Sequence, residues 1–340
     1  MEEGGENGSS GNGSGAGCAR GGILVVHKER KTQRTIQRIL GATRLEVEAC
    51  DSVAAAAAQL DAHAPRLVVL DHRLLATPEG VALAERASKS THAACLILLT
   101  DGLATEMPRL FSTASLTNLL VNPMPMLAEE LSITALKLLR KDLFGLEKYL
   151  TWGAQPVEEV LADARDRSTM VEALGTEVRR LGLGSHIATL SCLVADELLS
   201  NALYKAPVDE QGKPSRVDEP RHSPRALSGR DTVTLRHACD GRYLAIEVAD
   251  RFGSLDRSTI LANLARAVNQ GAPDTVQWTR SGAGMGLGLV YSCCTHLVFN
   301  IGVGRRTEVI ALLDVRFQPR GPDPISSFNV FVEEAEGSGR

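Results

Sequence analysis

Glycines at 282, 284, 286 and 288 alternate with small or apolar residues in the run Ser281–Leu289. Glycine at every second place removes Cβ where an anion approaches, permits positive φ, and lets successive N–H groups converge where a helix begins, which suits a phosphate. Plain loop punctuation is the competing reading of the same residues. Upstream, Leu193–Lys205 is rich in apolar residues, lacks Gly and Pro, and is predicted helical. Glu197 and Asn201 share one face of that helix, between Leu190, Val194 and Leu198. A carboxylate and an amide inside an apolar stripe need a partner, which a metal, water or a protein donor supplies. A satisfied core pair fits equally, since Asn often bonds nearby backbone. In Tyr243–Leu255, apolar and β-branched residues alternate up to Asp250 and break at Gly253, predicting a strand that ends in a carboxylate. That carboxylate is a fitting acceptor for the exocyclic amine of a purine, or a cap for the turn that follows.

In order, Glu197/Asn201, Asp250/Gly253 and glycines 282–288 resemble the three boxes of the GHKL ATPase superfamily, which covers histidine kinases, anti-sigma-factor serine kinases, type II topoisomerases and heat-shock chaperones. The resemblance implies an α/β sandwich binding ATP and Mg²⁺. Asn201 would contact the metal, Glu197 would activate a water or hydroxyl, and Asp250 would take the adenine amine. Gly282, Gly284, Gly286 and Gly288 would line the triphosphate, with Gly253 in the adenine box and Thr307 beside the adenine pocket. Two departures stand out: Phe252 occupies the family's first glycine position, and Tyr204 takes the place of a common Lys, leaving Lys205 as the candidate phosphate contact. The helical-looking Ser258–Asn269, followed by Gly271-Ala-Pro273, matches the family's mobile lid.

Histidine kinases carry a phosphoacceptor His just ahead of this domain, whereas Ala154–Gly184 has none and His186 lacks the flanking pattern. Val157–Leu181 is predicted instead to be one amphipathic helix. These features resemble the anti-sigma-factor branch. They imply a serine/threonine kinase acting on a protein partner, such as a sigma factor or an anti-anti-sigma-like regulator, in bacterial intracellular signalling. A non-catalytic partner-binding module with a degenerate pocket is the alternative.

In the first half, the apolar runs Ile23–Val26, Leu67–Leu70, Cys95–Leu99 and Leu119–Val121 are separated by helix-length stretches such as Thr32–Leu40 and Ser52–Ala62. They predict a doubly wound, five-stranded parallel sheet with functional groups at the strands' C-terminal ends. Asp71, Thr100 and Asn122-Pro123 follow three of those runs, and the arrangement resembles a response-regulator receiver domain. Asp71 would be the phosphoacceptor and Thr100 the switch hydroxyl. His27-Lys28 stands where receivers carry an acidic metal-binding pair, and Asn122 replaces the Lys before Pro123. Those replacements favour a pseudo-receiver in which Asp71 is structural, with Lys28 a candidate partner, over a phosphorelay.

The expected organisation is a disordered leader at 1–22, a receiver-like domain at 23–142, a linker at 143–153, the ATP-binding domain at 154–317 and a tail at 318–340. Leu127–Tyr149 keeps apolar residues beyond the first sheet, which argues for packing between domains or for a homodimer. Val208–Arg230, rich in Pro and charge, is expected to be an exposed loop. The 340 residues, 44% hydrophobic, suffice for two cores. No run approaches the ~20 apolar residues of a membrane span, so no membrane insertion and a cytoplasmic setting are expected. Seven cysteines lack metal-ligand spacing. A net charge of −4 without a basic, aromatic-interleaved stripe excludes a general nucleic-acid footprint.

Overall fold

The computed structural model describes residues 21–89, 94–99, 110, 118–121, 128–217, 219, 225–269, 286–316 and 327–333. Thr100, Asn122-Pro123, Gly271-Ala-Pro273, Gly282 and Gly284 lie outside them.

Five short strands open the fold: β1 (Ile23–Val26), β2 (Val47–Cys50), β3 (Leu67–Asp71), β4 (Ala94–Leu99) and β5 (Asn118–Val121). They run parallel in the order β2-β1-β3-β4-β5, that of the flavodoxin-like doubly wound sheet. Helices α1 (Arg30–Leu40), α2 (Val53–His63), α3 (Pro78–Lys89) and α4 (Ala128–Arg140) accompany them. Ile23, Val25, Leu67, Val69, Leu96 and Leu98 point to one face, against Ile36, Leu40, Leu131 and Ala135 of α1 and α4. Leu24, Val26, Val68 and Leu70 point to the other, against Ala56 and Leu60 of α2 and Leu83 and Ala84 of α3. Both faces are covered, so these strands read as unbroken apolar runs.

The second half holds β6 (Val157–Leu161), α5 (Arg167–Arg180), α6 (Ser185–Ser200), β7 (Val233–Cys239), β8 (Tyr243–Asp250), α7 (Arg257–Asn269), α8 (Gly286–Cys293), β9 (His296–Gly302), β10 (Arg306–Asp314) and β11 (Ser327–Glu333). Val157–Leu181 is therefore not one helix. Its first five residues form an edge strand paired antiparallel with β7, and the helix begins at Arg167. Val157 and Val160, which fit a helical stripe, are exposed on that edge.

Both halves share one sheet of eleven strands, ordered β2-β1-β3-β4-β5-β11-β9-β10-β8-β7-β6. The segment set aside as a tail supplies the joint: β11 runs antiparallel to β5 and parallel to β9. Along β8, Leu244, Ile246 and Val248 join the core beneath α5 and α6, with Leu174, Val178, Val194 and Leu198. Tyr243 and Ala245 face the opposite way, onto Leu143 and Leu146 of the linker. Burying each such aliphatic side chain contributes roughly 1.5–3 kcal/mol. The linker thus covers the second face of the sheet instead of spanning solvent, and every residue of β8 is buried.

Polar residues interrupt that second face. Glu308 and Glu247 are fully buried on adjacent strands. Asn300 Nδ2 donates to Glu308 Oε1 at 2.6 Å, the Gly145 N–H donates to the same oxygen at 3.0 Å, and Arg306 reaches Glu308 Oε2 at 2.6 Å. Arg236 reaches Glu247 at 3.2 Å. Burial and the adjacent Glu308 raise the pKa of Glu247, a cost these cations and amides offset.

Candidate functional site

Glu197, Asn201, Lys205, Asp250, Gly253, Gly286, Gly288 and Thr307 lie where α6, α8, the end of β8 and the start of β10 meet. After Ser200 the helical path widens into a π turn, Asn201–Lys205, closed by a hydrogen bond from the Ala206 N–H to the Asn201 carbonyl at 2.9 Å. Such local widening re-aims the side chains it carries and recurs at functional sites. Both amide atoms of the Asn201 side chain are buried without a hydrogen-bond partner among the described residues. An orphaned amide costs about 1–3 kcal/mol, so a stable fold needs a reason to keep it.

Glu197, one turn earlier, lies against the start of α8. A Cβ on Gly286 would fall 1.6 Å from Glu197 Oε1, so glycine there makes room for a protein carboxylate. Gly288 is buried within the first turn of the same helix. Lys205 Nζ sits 3.5 Å from Glu197 Oε1, so these two candidates pair with each other.

Period-2 alternation carries Asp250 to the helix-covered face with Ile246 and Val248, and the antiparallel register sets Thr307 opposite it. Thr307 is the second residue of β10. Asp250 Oδ1 accepts from the N–H of Phe252 at 2.8 Å and of Gly253 at 3.3 Å, so it does cap the turn. Burial pushes the Asp250 carboxyl up to about 6, and those N–H donors only partly oppose it. The buried Thr307 hydroxyl faces Asp250 without a hydrogen bond of good geometry among the described residues. Gly253 adopts φ +58°, and a Cβ there would sit 2.1 Å from the Gly302 carbonyl. Backbone packing by itself demands this glycine. Phe252 is buried beneath the Arg230 guanidinium, 5.0 Å from the ring centre. Ser254 Oγ donates to the Ala206 carbonyl at 2.6 Å, tying the Asp250 turn to the end of the Asn201 turn.

The first half offers a different centre. Asp71 ends β3 with its carboxylate fully buried. Arg73 binds it through Nε at 3.0 Å and a terminal nitrogen at 2.8 Å, its N–H donates at 3.1 Å, and the His72 and His27 rings stand 3.3 and 3.5 Å away. Burial alone would raise its pKa, yet the facing His72 and Arg73 outweigh that and hold the carboxyl well below the usual range. Burial keeps the His27 pKa low despite Asp71. Lys28 is exposed, and the cation on Asp71 is Arg73 instead. Arg73 lies only two residues beyond the aspartate, so its pairing is a local signal in the sequence.

Among the described residues no group of three or more His, Cys, Asp or Glu is arranged to hold a metal, and no helix is long and apolar enough to cross a membrane. No protein-family model and no curated protein matches the chain. It is similar to the signal receiver domain of a Luxo repressor protein from Vibrio parahaemolyticus, at 15% identity over 36% of this chain and 92% of that one, TM-score 0.30. It is similar to NtrX from Brucella abortus, solved in complex with ADP, at 19% identity over 56% of this chain and 36% of that one, TM-score 0.30. A third similar structure is the pseudo-receiver domain of the CikA protein, at 22% identity over 35% and 97%, TM-score 0.27.

Proposed function

We propose that the chain is an intracellular signalling protein whose second half, residues 154–317, is a GHKL-type α/β sandwich binding ATP with Mg²⁺. The observation that carries this reading is the buried, unpartnered amide of Asn201 beside Glu197 and Gly286, on the sheet face that also bears Asp250 and Thr307. The donor set suits the group, since Mg²⁺ with phosphates takes few protein ligands and prefers oxygen, which the Asn201 amide supplies. Bound there, the metal would neutralise phosphate charge.

This chain's own residues do the rest. Asp250 accepts a hydrogen bond from the adenine amine, with Thr307 at its side. Glu197 takes the proton of a serine or threonine hydroxyl on a partner protein, and Lys205 balances its charge. Residues 23–142 act as a pseudo-receiver regulating that activity through the shared sheet. The Glu197–Lys205 pair also favours a second reading, in which nucleotide is held without transfer and the protein sequesters a sigma factor or similar regulator. The enclosure of Asp71 lends a phosphorelay role no support.

Calorimetric titration with ATP and Mg²⁺ tests the site. Micromolar binding that disappears in Asn201→Ala supports it, and a folded wild type that takes no nucleotide overturns it.

A further inference from the structure

Lys137 belongs to α4, the helix that packs on the five parallel strands, yet its side chain is spent on the other half. Nζ donates to Tyr149 Oη of the linker at 2.6 Å and to Asn300 Oδ1 of β9 at 2.8 Å, and it stands 4.2 Å from the centre of the Phe331 ring on β11. The ammonium thereby orients the Asn300 amide. With Oδ1 turned to Nζ, Nδ2 faces Glu308 Oε1, to which it donates at 2.6 Å.

Asn300 and Glu308 are fully buried cross-strand partners on β9 and β10. Were the amide to turn over, Oδ1 would face a carboxylate that had lost a donor, which is costly inside a protein. Glu308 anchors the start of β10. Its neighbour Thr307 points to the opposite face of the sheet, across from Asp250, and the Gly304 N–H donates to the Gly253 carbonyl at 3.1 Å, which pins the Asp250 turn to the β9–β10 turn. Lys137, Asn300, Glu308, Thr307 and Asp250 are each 5% exposed or less, and closely packed links of this kind pass a displacement on. About two turns earlier on α4, Glu130 also reaches the second half, where it meets His296 and accepts from Tyr243 Oη at 3.2 Å. Those two residues open β9 and β8, so this contact lies at the far end of the same strands from Thr307 and Asp250.

We propose that Lys137 is a positioning residue for the Asp250–Thr307 end of the second half, acting through Asn300 and Glu308, so that a displacement of α4 changes how that end binds its ligand. The route would let the first half regulate the site without touching it. Its consequence for ATP rests on the nucleotide reading above, whereas the mechanical coupling does not.

Site-resolved amide exchange of the full chain tests the coupling at Phe252 and Gly253, whose N–H groups bond Asp250, with ATP and Mg²⁺ titration alongside. In Lys137→Met, exchange at both amides should quicken about tenfold or more, while Glu130→Gln should leave it within about twofold. Lys137→Met should add nothing in an Asn300→Ala background, since the two residues act in one line. ATP affinity should fall about fivefold or more in Lys137→Met and hold in Glu130→Gln. If Lys137→Met does not fold, Tyr149→Phe decides, with exchange at the two amides quickening about threefold. Unchanged exchange in the deciding variant, an equal change in Glu130→Gln, additive effects of Lys137 and Asn300, or ATP binding unmoved by Lys137→Met overturns the proposal. A wild type that takes no ATP overturns the nucleotide reading, and the exchange rates then decide the coupling by themselves.

Discussion

Asp71 and Asp250 are both aspartates at the last residue of a buried strand, and their surroundings drive them in opposite directions. Around Asp71 the chain supplies a guanidinium and two imidazoles, so the carboxylate is charged, satisfied and enclosed. Around Asp250 it supplies two backbone N–H groups and, among the described residues, no ion pair, and burial raises the pKa to about 6. The same residue in the same fold position therefore gives a closed ionic lock in one half. In the other it gives a carboxylate with capacity for an outside donor. Position at a strand end does not assign a role; the compensation the chain provides does.

The sharpest break concerns the turn that holds Asp250. Gly253→Ala must leave φ +58° or displace the Gly302 carbonyl, so it should cost roughly 2–4 kcal/mol in denaturant unfolding. Next, Asp71→Asn strands Arg73 and the two histidines, and a loss of about 2–3 kcal/mol at neutral pH is expected. Because the folded pKa of Asp71 is depressed, its contribution is present above the ordinary value of 3.8 and is lost as pH falls through the lowered one.

Asp250→Asn should do the reverse. Its folded pKa is raised, so the native state loses stability as pH climbs from 3.8 to about 6 and stays penalised above. At ~1.4 kcal/mol per unit the ceiling is roughly 3 kcal/mol. The nucleotide-free Asn variant should be about 1–2 kcal/mol more stable than wild type near pH 8. Thermal unfolding across pH should show that gap closing on acidification, and a gap of constant size would refute the desolvation account. Smallest of all, Lys28→Ala should stay within about 0.5 kcal/mol of wild type, which separates the exposed lysine from the cation that does pair with Asp71.

Much of the architecture was legible in the sequence because burial on both faces writes itself plainly. Leu67–Leu70 and Tyr243–Asp250 had to be strands, and Glu197, Asn201 and Asp250 stood out as polar breaks in apolar patterns. Val157–Leu161 misled because Val-Glu-Glu-Val-Leu meets the helical period, while the strand sits on an open edge where valines are exposed. The alternation of Phe328, Val330 and Val332 is a strand signal that a Gly/Pro-rich approach obscures. The packing need for Gly253 lies in a carbonyl 49 positions along the chain, which no local pattern carries. Lys137, Asn300 and Glu308 are likewise ordinary residues until strand register and the linker bring them together.

The most direct measurement is the affinity for ATP and Mg²⁺ of two folded variants carrying the same substitution, Asp71→Asn and Asp250→Asn. Removing charge from the lock should leave binding within a few-fold of wild type. Removing it from Asp250 should weaken ATP binding about tenfold or more, since a charged acceptor for the adenine amine is lost. Equal affinities in the two variants, or loss in Asp71→Asn alone, would contradict the assignment of the open carboxylate to the ligand.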